Sequence, residues 1–186
     1  MKILAISGSL RKASINSAFC RAAARLAPAG VAVSVYPGLG QLPLFNPELD
    51  ASGIPAVVDL QRAVDGADAL LLASPEYAHG ISGSMKNALD WLVSHEGFYG
   101  KPVAVVNTSP RARHACEALL EVLRTMSAHV IAGASSSVPL LGHCTSEAAI
   151  IADSAVAGRV RDILGLMVNH LADDSDRELS FRLTGP

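Results

Sequence analysis

Short apolar runs alternate with helical patterns along the whole chain, and this alternation limits the fold more than any other feature. "KILAIS" (2–7) reads as a buried strand, and the Ala-rich segment from Ser17 to Leu26 puts Phe19, Ala23 and Leu26 on one helical face. "VAVSVY" (31–36) is a second strand, followed by an irregular piece, "PGLGQLPLFNPELDASGIP", full of Pro, Gly and Asn. Val57, Leu60, Gln61 and Val64 mark a short helix, and "ADALLLAS" (67–74) is a third, fully apolar strand. Met85, Ala88, Leu89 and Leu92 form the stripe of the next helix, before "KPVAVVNTS" (101–109) as strand four. Ala115, Leu119, Val122, Leu123 and Met126 mark the fourth helix, and "HVIAGASSSVPLL" supplies a fifth strand, in one piece or two. Val156, Val160, Ile163, Met167 and Leu171 give a last amphipathic helix.

Five strand-then-helix units with near-continuous apolar strands imply a parallel sheet covered on both faces. Right-handed crossovers and five strands fit an α/β, flavodoxin-like, doubly wound sheet of order 2-1-3-4-5. Its topological switch point lies between strands one and three. No linker or repeat divides the chain, so residues 1–186 are expected to form one domain, with about 174–186 as a charged, frayed tail.

Composition narrows the function classes. Of 186 residues, 50% are apolar and 17% charged, which excludes a disordered chain. A net charge of −2 gives no nucleic-acid surface and no strongly acidic face for docking on a redox partner. The apolar start of "MKILAISGSLRK" is too short for a signal sequence, and no window has the length of a membrane span. Cys20, Cys116 and Cys144 are odd in number and lack C-x-x-C spacing. They are read as buried small side chains in a reducing cytoplasm rather than as a disulfide framework or zinc site.

Ligands of such sheets bind outside the carboxyl ends of the strands. Three polar segments sit there: "GSLRKASINS", "SPEYAHGISGS" and "NTSPRARH". The first lacks both the Walker loop and the dinucleotide fingerprint. Gly8 is expected to permit a tight turn, and Ser9, Ser14, Asn16 and Ser17 offer short donors near a helix N-terminus, where the dipole favours an anion. Arg11 adds a fork matched to phosphate oxygens. The same stretch also reads as a helix cap at Ser14 or Asn16 with a solvated Arg11, and both readings stand at this point. In the second segment, "PEY" puts Pro, an acid and an aromatic at the rim, an edge suited to a flat conjugated ligand. A half-buried Tyr77 under a loop is the plainer account of the same residue. Together, a phosphate site at strand one and a planar-ring site at strand three describe FMN at the switch point.

"GSLRKASIN" together with "SPEYAHGISGSMKNALDWL" resembles the NAD(P)H-dependent FMN reductase family, which includes quinone, azo-dye and chromate reductases. The likeness runs from Met1 to about Met126. It implies that Ser9, Arg11, Ser14, Asn16 and Ser17 bind the FMN phosphate. It also implies that Pro75, Glu76, Tyr77 and Gly80 lie along the flavin ring with Ser109 opposite. Lys86, Asn87, Asp90 and Trp91 match a helix motif that is more structural than catalytic. The resemblance further implies a homodimer or homotetramer formed through helices beside the flavin. Two departures stand out. The family commonly has Asn after the Tyr and Pro in the next turn, where this chain has Ala78 and Ser82. It favours a Gly-rich stretch after strand four, where this chain has "SPRARHA".

Arg111, Arg113 and His114 open the fourth helix against its macrodipole, which suggests an anionic ligand there, an NADPH phosphate or an anionic acceptor. Pairing of Arg113 with Glu117 one turn on is the alternative. The six histidines have no metal spacing, and His79 alone falls in the candidate site, against flavin or acceptor or simply as an exposed loop residue. No metal is expected. No side chain is assigned acid–base catalysis, because the cofactor carries the chemistry.

These residues describe an oxidoreductase taking a hydride from NADH or NADPH as co-substrate onto bound FMN. The electrons then go to a small-molecule acceptor: a flavin, quinone, azo compound or metal ion. Two other classes remain open from sequence. One is an FMN-binding electron carrier of flavodoxin type; the other is an anion- or nucleotide-binding module without flavin.

Overall fold

The computed structural model describes residues 1–140, 142 and 144–183, with side chains up to 173. Three strands form the centre of the sheet: β1 (Lys2–Ser7), β3 (Ala69–Ala73) and β6 (Pro102–Asn107). β2 (Ala32–Val35) lies outside β1, and β7 (His129–Val130) outside β6, giving a parallel sheet of order β2-β1-β3-β6-β7. This is the expected flavodoxin-like order, with the switch point between β1 and β3.

The central strands are apolar between their ends, and β3 along its whole length, because both faces are covered. In β1, Ile3 and Ala5 face one core, and Leu4 and Ile6 the other. β3 divides in the same way, Ala69, Leu71 and Ala73 against Leu70 and Leu72. Period-two alternation thus feeds two cores at once. The first core is closed by α1 (Ile15–Leu26), α5 (Glu147–Ala152) and α6 (Ser154–Leu183). Ala18, Ala22 and Ala23 of α1 are fully buried, small enough to bring that helix close to the sheet beside Phe19. The second core is closed by α2 (Pro55–Asp65), α3 (Gly83–Leu92) and α4 (Arg113–Thr125).

Helix starts follow local chemistry. Ser14 accepts the Ser17 amide and caps α1, so the helix begins at Ile15, two residues before the sequence pattern placed it. Ser82 caps α3, Ser146 caps α5, and Pro55 occupies the first turn of α2.

The fifth strand comes in two pieces. After β7 the chain turns at Ile131–Ala134, then β8 (Ser136–Ser137) pairs with the end of β6. Ser135 Oγ bridges the break by accepting the Val105 amide at 3.1 Å. Two elements escape the sequence reading. α5 has six residues, too few to show a period. The hairpin of β4 (Glu76–Tyr77) and β5 (Gly80–Ile81) turns on Ala78 and His79, both with positive φ (49° and 59°). Such a two-residue turn usually announces itself as Asn-Gly, which is absent here.

The irregular piece after β2 is pinned to α3. Asn87 donates to the Pro43 carbonyl and accepts the Phe45 amide, and the Trp91 indole also donates to Pro43. Lys86 pairs with Asp90 on the same helix. The structural role expected of this motif is therefore visible. The helix α6 extends to Leu183, and the frayed tail expected from about 174 falls on residues whose side chains lie outside the described set. Among the described residues, no helix is long and apolar enough to cross a membrane.

Candidate functional site

A cleft of about 610 Å³ opens at the carboxyl ends of β1, β3 and β6. The three polar segments singled out in the sequence converge on it, which follows from the switch point. Ser9, Arg11, Ser14 and Asn16 line it from the β1–α1 connection, Pro75, Glu76 and Tyr77 from the hairpin, and Ser109 from the β6–α4 connection.

Gly8 anchors this arrangement, though not as a turn residue. Its φ lies outside the left-handed region, and a Cβ there would sit 2.6 Å from Ser74 Oγ and 2.8 Å from Ser82 Oγ. Close approach of the two loops, rather than a tight turn, requires glycine at this position.

The floor of the cleft is rich in donors. Ser14 Oγ accepts the Ser17 amide and Ser9 Oγ accepts the Arg11 amide at 3.4 Å, so each hydroxyl hydrogen is left to point elsewhere. Asn16 Oδ1 is taken by the Thr108 hydroxyl at 2.8 Å, which leaves the amide nitrogen of Asn16 as a donor. All three side chains are buried. The amides of Ile15 and Asn16, in the first turn of α1, find no acceptor among the described residues. Donors left over in residues that line a cleft suit a ligand that supplies oxygens. Arg11 lines the same end, and no ion pair engages its guanidinium among the described residues.

Two expected residues stand apart. Ser17 does not line the cleft; its hydroxyl lies 2.8 Å from Ser7 Oγ, and its amide is spent on the Ser14 cap. Gly80 pairs with Tyr77 on the return strand of the hairpin and is not among the lining residues. Glu76 lines the cleft, but its carboxylate accepts the Ala115 amide of α4 at 2.8 Å. Tyr77 is 51% exposed, an aromatic face open at the rim.

Of the basic residues at the start of α4, Arg113 pairs with Glu117 at 3.2 Å, as the i,i+4 alternative held. Arg111 lines the cleft, and no carboxylate pairs with it among the described residues. His79 is exposed and meets His114 in a tilted ring contact at a centroid distance of 4.5 Å, outside the cleft lining. Thr108, Leu140 and Thr145 line the cleft and were not singled out in the sequence. Leu140 and Thr145 follow the last strand, so the carboxyl-end rule applied to that strand would have found them.

The family model described as NADPH-dependent FMN reductase matches residues 1–140. The chain belongs to that family. An NAD(P)H-dependent FMN reductase of Pseudomonas aeruginosa is 39% identical over 112 residues, covering 59% of this chain and 60% of the relative. A quinone reductase of Escherichia coli is 33% identical over 113 residues, with the same coverage of 59% and 60%. The matched part thus spans less than two thirds of these relatives. Among solved structures, the flavoenzyme NAD(P)H:(acceptor) oxidoreductase FerB of Paracoccus denitrificans superposes with a TM-score of 0.73 at 25% identity. That superposition covers 91% of this chain and 98% of FerB. The departures from the FMN reductase pattern have a physical setting: Ser82 caps α3, and Ala78 takes a left-handed turn position.

Proposed function

We propose that the chain holds FMN in this cleft and works as an NAD(P)H-dependent oxidoreductase for a small-molecule acceptor. The observation that carries the reading is the donor-only floor: Ser9, Ser14 and Asn16 are buried, have hydrogens to give, and stand beside Arg11 with no acid among them. A phosphate monoester, with a charge of about −1.5 to −2 and only acceptor oxygens at neutral pH, satisfies that set. The cleft volume falls in the range of cofactor-sized sites.

In this reading Ser9, Arg11, Ser14 and Asn16 hold the phosphate, with the α1 N-terminus behind it. Pro75, Glu76 and Tyr77 edge the ring, with Ser109 across the cleft. Ser17 acts one step back by fixing the cap geometry, and Gly80 by keeping Tyr77 at the rim. The flavin supplies hydride acceptance and release, so the residues are asked only to bind, orient and leave one face open. No side chain is assigned a proton transfer; Tyr77→Phe should keep both flavin and turnover.

A flavin, quinone, azo compound or metal ion is the acceptor class, and the names of the relatives favour quinones and flavins. A homodimer or homotetramer belongs to the same reading. Leu10, at 62% exposure, Leu44, at 85%, and Phe45 are exposed apolar side chains, Leu10 standing between two cleft-lining residues and Phe45 packed on Trp91. Cys20, Cys116 and Cys144 are free thiols, in keeping with the cytoplasm.

The test is a visible spectrum after FMN addition and desalting, followed by anaerobic NADPH and then NADH. Retained yellow colour that bleaches within seconds supports the reductase. Retained colour that persists points to an electron carrier, and no retained colour points to an anion site without flavin.

A further inference from the structure

The start of α4 lacks what a helix N-terminus needs. Its N-cap is Ala112, which has no side-chain acceptor, and its first turn carries Arg113 and His114 but no acid. First-turn amides require acceptors from outside the helix, and basic side chains there oppose the dipole. The acceptor comes from another loop: Glu76 Oε2 takes the Ala115 amide at 2.8 Å, across 39 positions of sequence.

The hairpin that carries Glu76 also needs support. A two-stranded hairpin is marginal alone, and this one turns through two left-handed residues that are not glycine, Ala78 and His79. Its second link is the tilted ring contact of His79 with His114. Both links run from the hairpin to the first turn of α4. The segments they join both line one cleft, Tyr77 from the hairpin and Ser109 with Arg111 from the connection into α4.

We infer that Glu76 is a positioning residue. By accepting the Ala115 amide, its carboxylate sets Tyr77 relative to Ser109 and so the width of the ring-binding end of the cleft. This rests on the reading of the cleft as an FMN site. The residue that the family resemblance puts along the ring lines the cleft while its carboxylate works through α4.

The test compares Glu76→Ala, which removes the acceptor, with Glu76→Gln, whose amide oxygen keeps it. Hydrogen exchange is measured first on the protein without flavin. Glu76→Ala should speed exchange about tenfold in segments 76–81 and 110–116 together, leaving β1 and β3 unchanged, while Glu76→Gln stays within about threefold of the parent. FMN titration should then show about tenfold weaker binding for Glu76→Ala and less than about threefold for Glu76→Gln. Parental exchange in either segment of Glu76→Ala overturns the latch. Faster exchange with unchanged FMN affinity overturns positioning and leaves a helix cap. Glu76→Gln with parental exchange but the weak FMN binding of Glu76→Ala places the charge on the ligand itself, which also overturns it. A parent protein that takes up no FMN overturns the reading of the cleft and the ring-positioning role with it, whereas the exchange data still judge the latch.

Discussion

Ser82 donates its hydroxyl to the Gly8 carbonyl at 2.6 Å, a buried contact between residues 74 positions apart. Ser84 adds a second donor at 2.9 Å, and the Gly8 amide binds the Ala73 carbonyl. Ser82 also accepts the Met85 amide as the cap of α3. One side chain therefore starts a helix and fixes the loop beside the proposed phosphate site. Ser82→Ala should cost about 1–3 kcal/mol, since it removes a cap and a buried donor together. Ser84→Ala should cost less, because Ser82 still serves Gly8. Urea unfolding of both variants checks the order; equal effects would separate Ser82 from this role.

Gly8→Ala should be more damaging to binding than to the fold. Its Cβ would meet Ser74 Oγ at 2.6 Å and Ser82 Oγ at 2.8 Å, with Met85 Cβ behind them at 3.1 Å. Ser82 can rotate away only by giving up the Gly8 carbonyl, and Ser74 only by giving up the Pro75 carbonyl. A loss of about 1–3 kcal/mol is expected, with FMN no longer retained through desalting.

Ala78→Asn should stabilise the protein. Ala78 holds φ at 49°, where Asn is tolerated better than other L-residues because its side chain can bond to the local backbone. A gain of about 0.5–1 kcal/mol corresponds to about 1–4 °C in Tm for a chain of this size. Differential scanning calorimetry reads this directly, and a lower Tm would show that the turn prefers alanine.

Arg111 and Arg113 should behave differently although they are near neighbours. Arg113 pairs with Glu117 on an exposed helix face, whereas Arg111 lines the cleft without a carboxylate. Arg111→Ala should raise the KM for NADPH by about tenfold, as expected for loss of a charge-assisted phosphate contact, and change the KM for NADH little. Arg113→Ala should leave both within about twofold. Equal changes with NADPH and NADH for Arg111→Ala would remove its phosphate role.

Stability should fall on the alkaline side. Burial pushes the Cys20 thiol from 9.0 up to about 12, an effect only partly offset by Arg21. Burial, reinforced by the Asp59 carboxylate, pushes the Tyr36 phenol from 10.0 up to about 12. The unfolded chain gives up these protons at lower pH than the folded one, so their stabilisation is complete below pH 9 and is lost as pH rises towards 12. Urea midpoints should hold up to about pH 9 and drop from there to about pH 11. In Cys20→Ala the drop should be smaller.

The sheet was legible because its central strands are buried on both faces and so read as unbroken apolar runs, such as "ADALLLAS" in β3. The long helices were legible from one-sided stripes, and the i,i+4 geometry made the Arg113–Glu117 pair foreseeable. The β4–β5 hairpin was not, because Ala-His carries none of the usual signals of its turn. The placement of the three polar segments at one rim followed from strand order alone.

By itself, then, the sequence determined the layers, the strand order and the end of the sheet where a ligand can enter, all consequences of local periodicity and chain connectivity. Only the tertiary structure decided how the polar side chains divide their work. Ser17 turns to Ser7, Glu76 to Ala115, and Ser82 to Gly8, while Ser9, Ser14 and Asn16 keep hydrogens for the cleft. Those choices depend on which donor meets which acceptor across loops far apart in sequence, and a hydrogen bond between distant residues leaves no period to read.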